Sequence, residues 1–172
     1  NVESRSSPFD FEEANFDVAI HYGRPVWAHA SCHYLCSELI IPVANPKLLQ
    51  ASSGADFGKP AARSLLHLAT RPKLWAQWAA ANGFELEHPY RGSRFDQFAM
   101  VIEAAVAGLG FALLPRYLIE PELADGRLTI VVDLPIKTDN SYYLVLPDGR
   151  RENPASLAFR GWIMSQLGQP AS

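Results

Sequence analysis

An apolar run over residues 98–114 limits the possible folds of this 172-residue chain more than any other segment does. It contains one charged residue, Glu103, and two glycines, Gly108 and Gly110, and it ends at Pro115. A membrane-spanning helix needs about 20 consecutive apolar residues, so a run this short and this interrupted does not fit one. We interpret the run as a helix with one buried face, followed at once by a short buried strand of a globular protein.

Short apolar runs and segments with helical spacing alternate along the rest of the chain. Runs of strand length occur at 16–20, 39–43, 65–68, 111–114, 128–132 and 142–146. Helices are predicted at 47–51, 70–83, 96–106, 117–124 and 153–167, with a surface loop over 51–59. Because fully apolar strands alternate with amphipathic helices, we expect an α/β fold with a mostly parallel sheet covered on both faces.

The last predicted helix has clear start and stop signals. Asn153 precedes Pro154, and Asn is a common N-cap while proline fits the first helical position. Gly168 is expected to end the helix. Its apolar side chains recur at helical spacing, and we expect the core to receive Phe159, Trp162, Ile163 and Leu167.

Composition and charge describe an ordinary globular domain. The chain is 48% hydrophobic and 19% charged, which excludes a disordered chain or a coiled coil, and its length is enough to fold without a metal or disulfide. Its net charge of -3 argues against nucleic-acid binding by this chain, because neutralising phosphates takes clustered Lys and Arg. Two cysteines and no apolar leader at residues 1–5 are typical of a reduced, cytoplasmic protein without a secretory signal.

One dense group of potential metal ligands is present: His29, Cys32, His33 and Cys36. The spacing of the two cysteines is compatible with half of a zinc site. A structural zinc site also needs a second pair of ligands elsewhere in the chain, and no other pair is evident. We therefore predict that these residues have ordinary packing or surface positions, and that the protein holds no metal and no cofactor.

Catalytic motifs are weak. The nearest approach to a nucleophile elbow, Gly92-Ser93-Arg94-Phe95, lacks the second glycine that the tight turn needs. Gly108-Leu109-Gly110 lies between a helix and a strand, whereas a phosphate-binding loop requires the opposite order. A small enzyme with His21 or His67 as general base would also need a nucleophile and an orienting group, which these residues do not supply. We predict that the chain is not an enzyme.

Asp96 begins the apolar helix and allows two interpretations. The simpler one is an N-cap, whose carboxylate accepts hydrogen bonds from the first helical amides. The functional one is a ligand site, in which free amides bind a carboxylate and Asp96 binds an ammonium group. Ligands of open α/β sheets lie beyond the carboxyl ends of the strands, and His21-Tyr22-Gly23 and His67 are expected there too.

An ordered set of short segments, spread over essentially the whole chain, resembles the effector-binding domain of LysR-type transcriptional regulators. The subgroup it resembles contains the glycine-cleavage activator and the β-lactamase-inducing regulators. No one segment decides the resemblance, since each is short and mostly apolar, but the order and spacing together are specific. The segments are Asp10-Phe11, Asp17-Val18-Ala19-Ile20-His21-Tyr22-Gly23, Pro42-Val43-Ala44-Asn45-Pro46-Lys47-Leu48-Leu49, Leu65-Leu66-His67 with Trp75 and Trp78, Phe95-Asp96, Ala104-Ala105-Val106-Ala107-Gly108-Leu109-Gly110-Phe111-Ala112-Leu113-Leu114-Pro115, Tyr142-Tyr143-Leu144-Val145 and Phe159-Arg160-Gly161-Trp162.

The resemblance implies a periplasmic-binding-protein-like fold of type II, in which two α/β subdomains are joined by two crossover strands. Regulatory subdomain I is expected to combine residues 1–38 with 134–172, and regulatory subdomain II to span 39–133. The crossover strands are expected at 39–43 and 128–132. The first strand and helix of subdomain I, and the winged helix-turn-helix of the family, are expected to precede this sequence, which leaves an unpaired sheet edge prone to association.

The resemblance also implies a function: a small effector binds between the subdomains and controls DNA binding by the absent N-terminal domain of a cytoplasmic homodimer or homotetramer. A transport-type solute-binding protein is the alternative, with the same fold but a signal peptide and a monomeric state. Two aspartates among the candidate positions favour an amine-bearing or zwitterionic effector. By position in the family pattern, the expected effector-binding residues are Ser7, Asp10, Tyr22, Gly23, His67, Phe95, Asp96, Gln97, Phe98 and Tyr142.

Overall fold

The computed structural model describes residues 2–5, 7–51, 65–149 and 153–167. The contacts divide the chain into two compact units: unit 1 consists of Asn1–Glu38 and Thr138–Ser172, and unit 2 of Leu39–Lys137. The chain returns to unit 1 after residue 137, a little later than the boundary at 133 that the sequence led us to expect. Most of the predicted loop over 51–59 and the predicted helix stop Gly168 lie outside the described residues.

Helices and strands alternate along the chain. In order they are α1 (Phe11–Ala14), β1 (Ala19–Gly23), β2 (Ala30–Ala44), α2 (Pro46–Ala51), β3 (Leu65–Leu68), α3 (Leu74–Asn82), β4 (Gly92–Phe95), α4 (Phe98–Val106), β5 (Phe111–Pro115), a 3-10 turn (Arg116–Leu118), α5 (Glu120–Ala124), β6 (Thr129–Ile130), β7 (Ile136–Pro147) and α6 (Pro154–Gln166). Two strands are long enough to leave one unit and enter the other: β2 contains the boundary after Glu38, and β7 the boundary before Thr138.

Unit 1 is built on an antiparallel pair. β1 pairs with β7, with Ala19 opposite Val145 and Gly23 opposite Ser141, and β7 is followed in the sheet by β2. The core on this sheet contains Leu35, Leu144 and Met164.

Helix α6 closes this core and begins as predicted. The Asn153 side chain accepts a hydrogen bond from the Ser156 amide at 2.8 Å, so it caps the helix. Phe159 and Ile163 pack against the core as expected. The prediction was wrong for two residues listed with them, Trp162 and Leu167, which are 57% and 38% exposed. The helix turns one narrow stripe toward the sheet, and these two side chains lie outside it.

Unit 2 has a mixed sheet. β3 lies between β4 and β5 and is parallel to both, whereas β2 is antiparallel to β5 and to β6. The expectation of a mostly parallel sheet was therefore wrong. The reason is the long strand β2, which enters this unit from unit 1 and runs against β5 rather than being joined to it through a helical crossover.

Strand β3 carries the core of unit 2 on both of its faces. Leu66 packs into one cluster with Val101 of α4, and Leu65 packs into another with Trp75 and Trp78 of α3. The predicted strand at 65–68 and the predicted helix ending at Gly83 are both confirmed.

One expected crossover strand, at 128–132, was placed wrongly. The short strand β6 in this segment pairs with β2 inside unit 2, with Ile130 opposite Val43. Leu128 is buried in the core of the same unit, so the segment is apolar because it packs there. The chain returns to unit 1 later, within β7. Among the described residues, no helix is both long enough and apolar enough to cross a membrane.

Candidate functional site

Unit 1 contains a cavity of about 580 Å³. Three of the expected effector-binding residues line it: Ser7, Tyr22 and Tyr142. Aromatic side chains make up much of the remaining wall, including Phe9, Phe16, Trp27 and Phe159. A cavity of this size matches a small organic molecule.

The cavity follows the open edge of β1. Consecutive residues from Val18 to Tyr22 all line it, although successive side chains of a strand point to opposite faces. A cavity that meets both faces of a strand lies at its edge. β1 is the last strand of the described sheet on this side.

Tyr22 and Tyr142 are cross-strand partners in this wall. The register of β1 and β7 sets them opposite each other, and their ring centroids are 4.9 Å apart. The Tyr22 hydroxyl donates a hydrogen bond to Glu38 Oε2 at 2.7 Å and lies 3.1 Å from Thr138 Oγ1. The hydroxyl is therefore tied into unit 1, while the ring lines the cavity.

Asp10 and Gly23 have local structural roles. The Asp10 carboxylate accepts a hydrogen bond from the Glu12 amide at 2.8 Å and caps α1. A side chain at Gly23 would place its Cβ 2.5 Å from His21 Nε2. Only a residue without Cβ leaves the His21 ring in its position against Trp27.

The ring faces near the cavity hold a cation of the chain itself. The Arg5 guanidinium carbon lies 5.3 Å from the centre of the Phe9 ring and 5.2 Å from that of Phe16. Aromatic faces attract cations through their quadrupole. The Phe9 and Phe16 rings of the wall are therefore already in contact with a cation.

In unit 2, the carboxyl ends of β3 and β4 meet. Leu68 and Phe95 are register partners in these parallel strands, and the Ala69 amide donates to the Phe95 carbonyl at 2.8 Å. The segment 95–98, which holds four of the expected effector-binding residues, follows directly and leads into α4. This is the edge at which ligands bind in open α/β sheets.

Asp96 is not the N-cap of α4, so the simpler of its two interpretations was wrong. The cap position is Gln97, and its side chain makes no capping hydrogen bond. β4 extends through Phe95, and Asp96 is used in the bend between strand and helix. Asp96 is exposed, and within the described part of the chain its carboxylate has no hydrogen-bond or ion-pair partner.

The start of α4 therefore presents amide donors without a side-chain cap. The Gln97 carbonyl accepts from the amides of Met100 and Val101, while the amides of Phe98 and Ala99 precede the first intrahelical hydrogen bonds. These amides lie at the positive end of the helix dipole. The two amides can bind the carboxylate of a ligand. Because the Asp96 carboxylate is close by and carries the same charge, such a ligand also needs a cationic group between the two carboxylates.

Sequence reasoning missed Arg71, which lies at the same edge. Its guanidinium carbon is 4.9 Å from the centre of the Phe98 ring. Arg71 comes shortly after the end of β3, and Asp96 comes directly after the end of β4. A cation beside the helix start adds to the attraction for an anionic group. The sequence signal was its position just after a strand-length apolar run.

His67 lies inside unit 2. It is 2% exposed, and its Nε2 is 3.1 Å from the Arg91 carbonyl oxygen. Burial lowers the pKa of His67, and the nearby charge of Arg94 lowers it further, against the effect of the hydrogen bond to Arg91. The ring is therefore neutral near pH 7 and holds the segment that leads into β4.

The cysteine cluster forms no metal site in the part of the chain that the structure describes, where no group of three His, Cys, Asp or Glu side chains could hold an ion. Cys32 and Cys36 are free thiols in β2. Burial raises the pKa of both, with smaller contributions from Asp148 and Glu38 respectively. Both thiols are therefore poor nucleophiles near neutral pH.

The structure thus consists of two α/β units linked by two long strands, with an uncapped helix start beyond parallel strand ends. The family model for the LysR substrate binding domain matches residues 3–168. This chain belongs to that family, and the resemblance seen in the sequence is confirmed.

Known relatives agree. The chain is 35% identical over 171 residues to the HTH-type transcriptional regulator TrpI of Pseudomonas aeruginosa, covering 96% of this chain and 57% of that protein. It is 32% identical over 151 residues to the glycine cleavage system transcriptional activator of Escherichia coli K12, covering 87% of this chain and 49% of that protein. The chain thus spans about half the length of these relatives. Because they are transcriptional regulators, the comparisons do not favour a transport-type solute-binding protein.

Solved structures confirm the fold. The effector domain of AmpR from Pseudomonas aeruginosa has a TM-score of 0.75 and 27% identity, covering 93% of this chain and 76% of that one. The AmpR effector binding domain from Citrobacter freundii also has a TM-score of 0.75, with 28% identity, covering 93% of this chain and 78% of that one. The expected periplasmic-binding-protein-like fold is therefore confirmed.

Proposed function

We propose that this chain is the ligand-sensing part of a LysR-type transcriptional regulator, with unit 1 as regulatory subdomain I and unit 2 as regulatory subdomain II. The match of the family model over residues 3–168 carries this proposal. DNA binding belongs to an N-terminal winged helix-turn-helix outside this sequence. The net charge of -3 supports that division, since the chain itself is not suited to bind phosphates.

The effector is an amine-bearing or zwitterionic small molecule, such as an amino acid or a short peptide derivative. The supporting feature is the edge of unit 2 where the exposed carboxylate of Asp96 comes directly before the open amides at the start of α4. An α-amino acid carries its ammonium and carboxylate groups on one carbon, so it can satisfy Asp96 and the helix start together.

Unit 1 supplies its own contacts, from Ser7, Tyr22 and Tyr142, whereas we expect Gly23 to act through the position of the His21 ring. The aromatic wall of its cavity suits the apolar part of such a molecule. His67 and Asp10 have structural partners, so we expect them to support the binding residues rather than to dominate the affinity.

The protein works without catalysis, in the cytoplasm, as a homodimer or homotetramer. Exposed apolar side chains support self-association, because an interface would remove them from water. Trp162 is 57% exposed and Leu109 is 62% exposed. The buried, neutral His67 and the two protonated thiols do not provide an activated nucleophile with its base.

Calorimetric titration of the natural full-length protein tests the proposal. The titrants are α-amino acids and dipeptides, each paired with the 2-hydroxy acid that has a hydroxyl in place of the amine. We expect saturable binding of at least one amine, and binding at least about tenfold weaker for its hydroxy partner. Equal affinity within a pair would contradict recognition of the amine, and binding only of compounds without an amine would overturn the proposed effector class.

A further inference from the structure

Glu38 is a charged residue in an unusual place. It is fully buried in unit 1, where an unpaired carboxyl group is strongly unfavourable. Its Oε2 accepts a hydrogen bond from the Tyr22 hydroxyl at 2.7 Å and another from Thr138 Oγ1 at 3.3 Å. The Tyr22 and Thr138 oxygens are themselves 3.1 Å apart. We call these three side chains the Glu38 triad.

The triad joins three different strands. Glu38 lies in β2 and is the last residue of unit 1 before the chain enters unit 2. Thr138 lies in β7 and is the first residue of unit 1 after the chain returns. Tyr22 lies in β1 and lines the cavity beside Tyr142. The two chain segments that connect unit 1 with unit 2 are thus β2, which carries Glu38, and β7, which carries Thr138. Through Glu38 Oε2 both are hydrogen-bonded to Tyr22, a residue of the cavity wall.

Stability alone does not account for a carboxyl group at this position. Replacing a buried charged or polar cluster by apolar residues is often neutral or stabilising, and the neighbouring positions Leu35 and Ile40 are apolar and buried. The hydrogen bonds to Glu38 Oε2 supply something that an apolar side chain does not, namely a fixed geometry for the Tyr22 and Thr138 hydroxyls.

We propose that Glu38 is a positioning residue, which fixes the Tyr22 ring against Tyr142 and links that ring to both connections between the units. A ligand group that displaces the Tyr22 ring then displaces both of its hydrogen-bond partners, Glu38 and Thr138. The two connecting strands, β2 and β7, therefore move together. The use of this linkage in sensing rests on the proposed function, in which Tyr22 contacts the effector. The linkage itself exists without any ligand.

Hydrogen exchange measured by mass spectrometry on the ligand-free, full-length protein tests this inference. The variant Glu38→Leu removes the acceptor and keeps an apolar side chain of similar size. We expect amide exchange to become about tenfold faster in β1 (Ala19–Gly23) and at the start of β7, near Thr138. We expect no change in α6 of the same unit, and a smaller effect for Glu38→Gln, which keeps one acceptor oxygen.

Ser37→Ala is the matched control. Ser37 Oγ lies 2.8 Å from the Tyr34 hydroxyl at the surface of the same strand, so this variant breaks a tyrosine hydrogen bond next to Glu38 without touching the triad. Its exchange in β1 and β7 should equal that of the wild type.

Two results would overturn the inference. One is unchanged exchange in β1 and β7 of Glu38→Leu; the other is an equal increase throughout unit 1, which would indicate a general loss of stability. If Glu38→Leu does not fold, Thr138→Val carries the same test, because a change on β7 should then speed exchange in β1, and unchanged exchange there rejects the linkage. Since no ligand is present, these outcomes are separate from failure of the amino-acid titration.

Discussion

Tyr22 and Tyr142 face each other across β1 and β7, with their ring centroids 4.9 Å apart and their planes inclined at 44°. Cross-strand aromatic pairs of this kind stabilise a sheet by about 0.2–1 kcal/mol relative to alanine. This pair also lies in the wall of the unit 1 cavity. The same side chains therefore support the sheet and form part of the candidate site.

Removal of the Tyr22 hydroxyl should destabilise the protein. Tyr22→Phe keeps the ring pair but removes the donor to the buried Glu38, and loss of one partner of a buried hydrogen bond costs about 1–3 kcal/mol. The free energy of unfolding, measured with urea, should fall by that amount. Tyr34→Phe is the control, because Tyr34 is 46% exposed and surface changes usually stay within about 0.5 kcal/mol. Equal effects of the two variants would show that burial of the hydrogen bond does not matter.

Gly92→Ala should disrupt the edge of unit 2. Gly92 has φ +142°, and an added Cβ would lie 1.9 Å from the Leu65 carbonyl oxygen. The backbone conformation alone costs about 1–3 kcal/mol for a residue with a side chain, and the clash with β3 adds to this. We expect a clear drop in the thermal midpoint and loss of the β3–β4 pairing.

Gly83→Ala is the control for strain without a clash. Gly83 has φ +71°, but nothing lies within 4 Å of its added Cβ. This variant should cost about 1–2 kcal/mol, the ordinary cost of a left-handed conformation. A loss for Gly92→Ala no larger than that for Gly83→Ala would contradict the close approach of β4 to β3.

His67 should make stability depend on pH. Burial lowers the pKa of His67 from its ordinary value of 6.5 in the folded protein, so the unfolded chain takes up a proton at a higher pH than the folded one does. Wherever the unfolded chain binds more protons, the free energy of unfolding rises with pH. The contribution of His67 is therefore complete above about pH 6.5 and is lost as the pH falls through its folded pKa.

Urea unfolding at about pH 7.5 and about pH 5.5 measures this dependence. The wild type should be less stable at the lower pH, and His67→Gln should show a smaller difference between the two. His33→Gln changes an exposed histidine and should behave like the wild type. An identical pH dependence of wild type and His67→Gln would exclude His67 as the cause.

Local signals predicted the local elements well. The Asn153 cap of α6 and the strand at 65–68 depend on a few adjacent residues, which the sequence shows directly. The long strand β2 was predicted only over 39–43, although it begins at Ala30. Its first half carries polar side chains such as Ser31 and His33 and lacks a continuous apolar run, and pairing with distant strands determines its extent.

The candidate site was predicted in part through the family pattern. That pattern predicted Tyr22, Tyr142 and Asp96 as binding residues. Tyr22 and Tyr142 lie in one cavity wall, and Asp96 lies just beyond β4. Glu38 and Arg71 were missed: Arg71 had only its position after an apolar run as a signal, and the sequence around Glu38 gave no sign of what it contacts. Their roles depend on partners far away in the chain, such as Thr138 for Glu38.

Calorimetric comparison of wild type and Asp96→Ala, titrated with the tightest-binding amine, tests the central claim most directly. Loss of a charged hydrogen bond worth about 1.5–3 kcal/mol should weaken binding about tenfold or more. Asp133→Ala removes the same charge from another exposed position of unit 2 and should leave the affinity unchanged. Unchanged affinity in Asp96→Ala, or an equal loss in both variants, would contradict recognition of the effector amine by Asp96.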